Sequence, residues 1–226
     1  MQNSIHPPLP FDPASAWDYE NGFYLTSPLQ RIAKLCAHFE LYKSISSLPG
    51  AVIECGVYKG ASLLRWASFR DMLETPWSRP IVGFDAFGVF PRNDKDSFED
   101  VEFIKGFEQV GGDGLSEEEL RRYVEIKALA NLDLVAGDIS ETIPKYLAEN
   151  PNIRIALLHI DVDVYQPTKV ALENLYSRIV PGGLLVLDDY AIVEGETRAV
   201  DEFFSGQKVL IEKVPFSSVP AFIRKI

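Results

Sequence analysis

The feature that most constrains the fold is a regular alternation of short apolar segments with longer amphipathic ones. From residue 51 onward, runs rich in β-branched residues and leucine are separated by stretches whose apolar residues recur at helical spacing. This alternation is typical of parallel strands that helices cover on both faces. We predict strands at 51–55, 81–85, 132–136, 155–161 and 184–188, followed by an antiparallel closing pair at 208–214 and 220–225. Helices are predicted at 29–45, near 60–74, 116–130, 141–149 and 166–179, and at 196–204. The whole chain, 1–226, is therefore predicted to be one α/β domain with a seven-stranded, mostly parallel sheet.

Two segments fall outside this pattern. Residues 1–28 are rich in proline and aromatic residues, and residues 86–115 combine glycines, aromatic residues and acids. We predict an N-terminal arm and a long insertion, both without regular structure. Because loops of this length are usually functional or mobile, we expect both segments to act as lids over the strand ends. A plain surface excursion is the alternative for the insertion.

Composition limits the classes of partner. The chain has a net charge of −11, which repels phosphodiester backbones, and its 46% hydrophobic and 24% charged residues are ordinary for a globular protein. No apolar stretch approaches the roughly 18–20 residues of a membrane span. The N-terminus lacks the features of a signal peptide, and Cys36 and Cys55 form no disulfide framework. We therefore expect a cytoplasmic protein with neither nucleic acid nor membrane as a partner.

The first strand-to-helix turn contains Glu54, Gly56 and Gly60, an acid-x-Gly-x-x-x-Gly pattern. In an open α/β sheet, ligands bind outside the carboxyl ends of the strands, where this turn lies. The dinucleotide fingerprint G-x-G-x-x-G is absent, and a carboxylate at its first position attracts an ammonium group and repels a phosphate. A glycine-rich turn without a ligand is the alternative.

Acids also follow the second and third predicted strands. Asp85 ends the second strand, where a carboxylate can accept hydrogen bonds from both hydroxyls of a ribose; a solvated strand end is the alternative. Asp138 follows the third strand, where it can accept from an adenine amino group or equally cap the next helix.

Four carboxylates end two neighbouring strands: Asp161 and Asp163 after the fourth, and Asp188 and Asp189 after the fifth. Neighbouring strands lie about 4.8 Å apart, so these acids would repel one another unless a cation compensates them. A hard divalent cation with oxygen ligands, Mg²⁺ or Mn²⁺, suits such a cluster. In the alternative, the acids face different ways and meet helix N-termini, Arg or Lys. We expect His159 to be a packed strand residue and not a ligand.

Taken together, these motifs resemble the class I S-adenosylmethionine-dependent methyltransferases and, more narrowly, the macrocin O-methyltransferase family. The resemblance begins near Gly22 and reaches the C-terminus. It is carried by YLT at 24–26, VIECGVYKGAS at 52–62, GFDAFG at 83–88, HIDVDVY at 159–165, PGG at 181–183, DDY at 188–190 and AVDEFF at 199–204. The family turn often has Phe where Tyr58 stands, and Thr is common where Ala86 stands.

The resemblance implies a Rossmann-like methyltransferase fold, S-adenosylmethionine as methyl donor, and a Mg²⁺ site that Mn²⁺ can also fill. It implies that Glu54 and Gly56 face the methionine portion of the donor, Asp85 its ribose and Asp138 its adenine. The remaining donor-binding residues that it implies are Tyr58, Gly60, Ser62 and Asp161. Asp161, Asp188 and Asp189 match the family's metal ligands, and Asp163 matches its general base.

The implied activity is metal-dependent O-methylation of a deoxysugar hydroxyl. The sugar is either nucleotide-activated, as in 3-O-methylation of a dTDP-6-deoxyhexose, or attached to a glycosylated metabolite. Two alternatives stay open: a catechol-type O-methyltransferase with the same donor and metal, and a donor-binding scaffold without turnover. We expect a homo-oligomer with a small-molecule sugar substrate.

Overall fold

Seven strands form one sheet in the computed structural model, which describes residues 8–92 and 97–226. The strands are β1 (Ala51–Cys55), β2 (Ile81–Asp85), β3 (Leu132–Ala136), β4 (Ile155–Ile160), β5 (Ile179–Leu187), β6 (Ile211–Lys213) and β7 (Ala221–Arg224). Their order across the sheet is β3-β2-β1-β4-β5-β7-β6. Strands β1 to β5 are parallel, whereas β7 runs antiparallel to both β5 and β6, so the predicted antiparallel closing pair is confirmed.

Strand β1 pairs with β2 on one side and with β4 on the other, so the order of strands reverses there. Such a reversal opens a crevice outside the carboxyl ends of the strands, which is where ligands bind in open α/β sheets. The fold therefore places a binding crevice beside the residues that follow β1 and β4.

Eight α-helices flank this sheet in the described residues. They are α1 (Ala16–Thr26), α2 (Leu29–Ile45), α3 (Ala61–Leu73), α4 (Phe98–Gly111), α5 (Glu117–Ile126), α6 (Ile139–Glu149), α7 (Tyr165–Leu175) and α8 (Glu194–Phe203). Two short 3₁₀ helices, Pro13–Ser15 and Tyr176–Arg178, complete the regular structure. None of the described helices combines the length and apolar character needed to cross a bilayer.

The core lies on both faces of the sheet. On one face, α2, α3 and α5 bury residues such as Ile45, Trp66 and Leu120 against alternate residues of the central strands. On the other face, α6, α7 and α8 bury residues such as Ile143 and Leu172. Because successive strand residues point to opposite faces, this two-sided burial explains the continuous apolar runs in the sequence.

Two predictions about irregular segments were wrong. The arm contains α1, which buries none of its residues and so lacks the apolar periodicity by which a helix is recognised in a sequence. The insertion contains α4, which is capped by Ser97: the Ser97 side chain accepts a hydrogen bond from the Asp100 N–H. Only Asp100 and Ile104 of α4 are buried, so its apolar pattern is weak as well.

Candidate active site

A cavity of about 520 Å³ opens at the carboxyl ends of β1 to β5. It is lined by most of the residues that the sequence singled out: Gly56, Tyr58, Ser62, Asp85, Asp138, Asp161, Asp163, Asp188 and Asp189. Glu54 and Gly60 do not line this cavity. Gly60 lies behind the turn, where it precedes α3 and packs against the Leu120 side chain.

Gly56 lies where the ends of β1 and β4 come closest. Its φ of 89° is in the left-handed region, and a Cβ atom there would stand 1.7 Å from the carbonyl oxygen of Asp161. The Asp161 N–H donates to the carbonyl of Cys55 at 2.8 Å, which holds the two strand ends together. Only glycine fits this position, and the close approach brings Asp161 to the floor of the cavity.

Asp85 accepts hydrogen bonds from the backbone of the turn between β1 and α3. Its Oδ2 accepts hydrogen bonds from the backbone N–H of Val57 at 2.6 Å and of Tyr58 at 2.9 Å, and its Oδ1 accepts from Phe87 at 2.6 Å. A carboxylate has about four acceptor positions, so these three hydrogen bonds leave about one for a ligand. Asp85 thus orients the turn and still lines the cavity, while two hydrogen bonds to a ribose stay a prediction.

Asp138 caps α6, since its Oδ1 accepts from the Ser140 N–H at 2.8 Å. It also lines the cavity. Both interpretations of this residue therefore fit its position, and contact with adenine stays a prediction.

Glu54 is fully buried on the face of the sheet that α2 and α3 cover. Its Oε1 accepts from the Ser62 hydroxyl at 3.0 Å, and its Oε2 accepts from the Trp66 indole at 2.8 Å and lies 2.9 Å from His159 Nδ1. The structure therefore engages both carboxylate oxygens inside the protein. Contact of Glu54 with the donor's methionine portion stays a prediction.

His159 links Glu54 to the cavity. Its ring is buried in β4 as predicted, with Nδ1 facing Glu54 and Nε2 lying 3.2 Å from Asp188 Oδ1. Burial opposes its charge, but the hydrogen bonds with Asp188 and Glu54 raise the pKa of His159 to about 10. A protonated imidazole therefore lies between two carboxylates. The pairing of Glu54 with His159 in the sheet register is the signal that sequence reasoning missed.

Asp188 is bound to Lys34 of α2 and lies near His38 of the same helix. The Lys34 ammonium donates to its Oδ2, and His38 lies stacked on Trp66 with Nε2 at 3.8 Å from Asp188 Oδ1. Burial opposes ionisation, but the hydrogen bond with His159 and the Lys34 charge hold the pKa of Asp188 well below its usual range. Burial lowers the pKa of His38 to about 3, so that ring is neutral.

Asp161, Asp163 and Asp189 form the cluster that faces the cavity. One carboxylate oxygen of each lies within 4.8 Å of those of the other two. Burial raises the pKa of all three, and like charges raise it further: Asp188 acts on Asp161 and Asp189, and Asp189 acts on Asp163. Strand β4 ends before Asp161, and Asp163 lies in a tight turn with a φ of 60°. Backbone conformations of this kind are concentrated at functional sites.

Glu196, at the start of α8, adds a fifth carboxylate to the four aspartates of this region, and sequence reasoning did not identify it. It is fully buried, its Oε1 accepts from the Asp189 N–H at 3.0 Å, and its Oε2 has no hydrogen-bond partner among the described residues. Burial and the charges of Asp189 and Asp188 raise its pKa well above the usual range. An excess of buried carboxylate oxygens, one of them unpartnered, fits a hard divalent cation.

The insertion covers one side of the cavity. The Tyr58 hydroxyl and the Lys59 ammonium both donate to the carbonyl of Gly111, at the end of α4. Phe103 and Phe107 of α4 line the cavity and stack on each other. The first turn and the insertion are therefore joined directly.

The family model for macrocin O-methyltransferase (TylF) matches residues 19–223. The chain belongs to the macrocin O-methyltransferase family. One relative is 31% identical to this chain over 148 residues. It comes from Streptomyces olivaceus and is named 8-demethyl-8-(2,3-dimethoxy-alpha-L-rhamnosyl)-tetracenomycin-C 4'-O-methyltransferase. That match covers 64% of this chain and 54% of the relative, so the chain spans about half of that protein's length.

Solved structures give the same class of fold. The calicheamicin methyltransferase CalS11 superposes with a TM-score of 0.70 at 27% identity, covering 94% of this chain and 86% of CalS11. Its apo form is described as a TDP-rhamnose 3'-O-methyltransferase. The O-methyltransferase NovP superposes with a TM-score of 0.72 at 21% identity, covering 84% of this chain and 78% of NovP. The sheet and its flanking helices thus form a class I methyltransferase fold.

Proposed function

We propose that the protein is an S-adenosylmethionine-dependent O-methyltransferase that uses Mg²⁺ and methylates a hydroxyl of a deoxysugar. The observation that carries the proposal is the cluster of Asp161, Asp163 and Asp189, which lies in the crevice at the reversal of strand order. Membership of the macrocin O-methyltransferase family supports the same reaction.

Sugars are favoured over catechols as acceptors by the names of the relatives. One is named for transfer to a rhamnosyl group and another for transfer to TDP-rhamnose. The carboxylates near the floor of the cavity would hold the metal for either kind of acceptor, so the preference for a sugar rests on these names. A nucleotide-activated sugar and a glycosylated metabolite both present the neighbouring hydroxyls that such a site binds.

The donor would lie across the carboxyl ends of the parallel strands. Its adenine would lie near Asp138, its ribose near Asp85, and its sulfonium near Gly56 and Asp161, in the order in which β3, β2, β1 and β4 succeed one another. The carboxylates on the cavity floor favour the cationic donor over its neutral product.

Asp163 would act as the general base, because its carboxylate lies in the cluster and lines the cavity. It takes the proton of the acceptor hydroxyl as that oxygen forms a bond to the donor's methyl carbon and the carbon–sulfur bond breaks. Asp161 and Asp189 would bind the cation. Asp188 would lie next to them on the side of α2, where it is hydrogen-bonded to Lys34 and His159. When bound, that cation lowers the pKa of the acceptor hydroxyl and fixes its orientation. The insertion would exclude water from the reaction.

The test is transfer of a labelled methyl group to a panel of nucleotide deoxysugars, deoxysugar glycosides and catechols. We expect methylation of a sugar acceptor, loss of activity in EDTA, and recovery with Mg²⁺ or Mn²⁺. Asp163→Asn should keep donor affinity and lower turnover by about 10²–10⁴-fold, the usual contribution of a general base. Full activity in EDTA would contradict the metal assignment, and methylation of catechols alone would contradict the sugar acceptor.

A further inference from the structure

Two arginine side chains line the cavity without forming an ion pair with any described carboxylate. Arg31 of α2 and Arg65 of α3 both contribute to its wall, and within residues 8–92 and 97–226 neither guanidinium group forms a hydrogen bond or an ion pair. Other arginines of the chain are engaged: Arg70 with Asp71, Arg79 with Glu74, Arg92 with Glu108 and Arg121 with Glu117. Among the described residues, Arg198 also lacks an ion pair but stacks on Tyr165, so Arg31 and Arg65 are distinguished by lining the cavity without such a contact.

The two guanidinium groups are also close enough to repel. Burial and then the charge of Arg31 lower the pKa of Arg65, so Arg31 is its strongest charged neighbour. Glu54, Asp188 and Asp161 attract Arg65, but none of them forms an ion pair with it. Glu54 is hydrogen-bonded to Ser62, Trp66 and His159, and Asp188 to Lys34 and His159. The arginines are therefore available to an anion from outside the protein.

Their position is at one end of the cavity. Helix α2 packs against α3 and over β4 and β5, whereas Asp138 follows β3 at the other end of the parallel strands. Arg65 lies one helical turn beyond Ser62, which also lines the cavity, and Arg31 lies one turn before Lys34. A ligand extended from Asp138 past Asp85 and Gly56 would reach this pair with its far end.

We propose that Arg31 and Arg65 form an oxyanion subsite that binds either the carboxylate of the methyl donor or the diphosphate of a nucleotide-activated acceptor. The inference rests on the proposed function, which supplies both ligands. A guanidinium group binds a carboxylate or a phosphate with two parallel hydrogen bonds, and binding of an anion relieves the repulsion between the two arginines. An acceptor with a diphosphate would be a nucleotide sugar and not a glycosylated metabolite.

The test is titration calorimetry of the full chain with three probes: S-adenosylhomocysteine, 5′-methylthioadenosine, which lacks the amino-acid portion, and thymidine diphosphate. The variants are Arg31→Gln, Arg65→Gln and the double variant. Arg198→Gln is the matched control, because that guanidinium stacks on Tyr165 outside the cavity. Thermal denaturation of each variant checks that the fold is intact.

If the subsite takes the donor carboxylate, Arg65→Gln should weaken S-adenosylhomocysteine by roughly ten- to a hundredfold, as for lost charged hydrogen bonds, and leave 5′-methylthioadenosine unchanged. If it takes the acceptor diphosphate, thymidine diphosphate should weaken by the same factor and S-adenosylhomocysteine should not. Binding of all three probes by the double variant as tightly as by the control would overturn the inference. A wild-type chain that binds none of the probes would instead contradict the proposed function, and the inference with it.

Discussion

At the residue scale, the two adjacent acids Asp188 and Asp189 have opposite environments. Burial opposes ionisation of both, but the hydrogen bond with His159 and the Lys34 charge hold the pKa of Asp188 well below its usual range. Burial and the charge of Asp188 raise the pKa of Asp189. One of the pair is therefore part of a buried ion network, whereas the other adds to a surplus of negative charge.

This difference predicts opposite effects on stability. In EDTA, Asp188→Asn should lower the free energy of unfolding by about 3–5 kcal/mol, because it leaves His159 and Lys34 without their shared partner. Asp189→Asn should leave stability unchanged or raise it by about 1 kcal/mol, because it removes a crowded charge. Urea denaturation of both variants measures the difference, and equal losses in the two would contradict these assignments.

The charge of His159 predicts a pH dependence of stability. Its pKa is about 10 in the folded protein against 6.5 for an ordinary histidine, so the folded state binds the proton more tightly. The stabilisation is fully present below about pH 6.5 and is lost as the pH rises through about 10. The comparison is urea denaturation of the wild type and His159→Gln between pH 6 and 10. The stability advantage of the wild type should shrink with rising pH, and a constant difference would exclude a charged His159.

The sequence predicts which acids surround the site but not how their roles divide. Asp161, Asp163, Asp188 and Asp189 follow adjacent strands, and the structure brings all four to the cavity. The direction of the Asp188 carboxylate depends on Lys34, which is 154 positions away in the chain, and no local pattern records such a contact.

At the element scale, α4 is attached to the turn that carries the candidate base. Asp100, in the first turn of α4, is buried and its Oδ1 accepts from the Tyr165 N–H at 3.4 Å, where α7 begins. Gly195 of α8 lies against both: a Cβ atom there would be 2.4 Å from Asp100 Oδ1 and 2.7 Å from the Tyr165 nitrogen. Three helices therefore meet beside Asp163 with no room for a methyl group.

Gly195→Ala should consequently separate α4 from α7 and α8. We expect a loss of about 1–3 kcal/mol in the free energy of unfolding, typical of overpacking, and faster amide exchange in α4. Gly106→Ala is the control, because a Cβ atom there meets nothing within 4 Å and alanine stabilises a helix interior by about 0.5–1 kcal/mol relative to glycine. Urea denaturation and hydrogen exchange measure the two effects, and equal behaviour of the variants would contradict the contact.

Elements with a buried face were predictable, and those without one were not. The sequence predicts the bounds of β1, β2, β3 and α2 to the residue, since each buries apolar side chains in the core. It fails for α1 and α4, in which few or no residues are buried and the signal is confined to capping residues such as Ser97.

At the scale of the whole molecule, the arm is held against the body by Tyr123 of α5. The Phe11 N–H donates to the Tyr123 hydroxyl at 2.7 Å, and that hydroxyl donates to the Phe11 carbonyl at 2.8 Å. Since α1 buries no residue, we expect these two hydrogen bonds to contribute much of what holds the arm against the rest of the protein.

Tyr123→Phe should therefore speed proteolytic cleavage within residues 8–28, because it removes both hydrogen bonds and little else. Tyr24→Phe, in the arm itself, is the control. S-adenosylmethionine should slow cleavage within 86–115 in all three proteins if the insertion closes over the donor. Gel-based time courses with and without the donor measure both effects; arm cleavage that is unchanged by Tyr123→Phe would mean that the arm is held elsewhere.

The position of β1 between β2 and β4 also bears on how the chain acquires its site. Glu54 and His159 are neighbours in the sheet register yet 105 positions apart in the chain, and β7 must still insert beside β5. Contacts of such long sequence separation form slowly, because a large loop must close before they contribute. A nascent chain would thus carry a complete first turn after β1 long before the carboxylates after β4 and β5 exist. Ligand binding cannot assist its early folding, and becomes possible only after most of the chain has been synthesised.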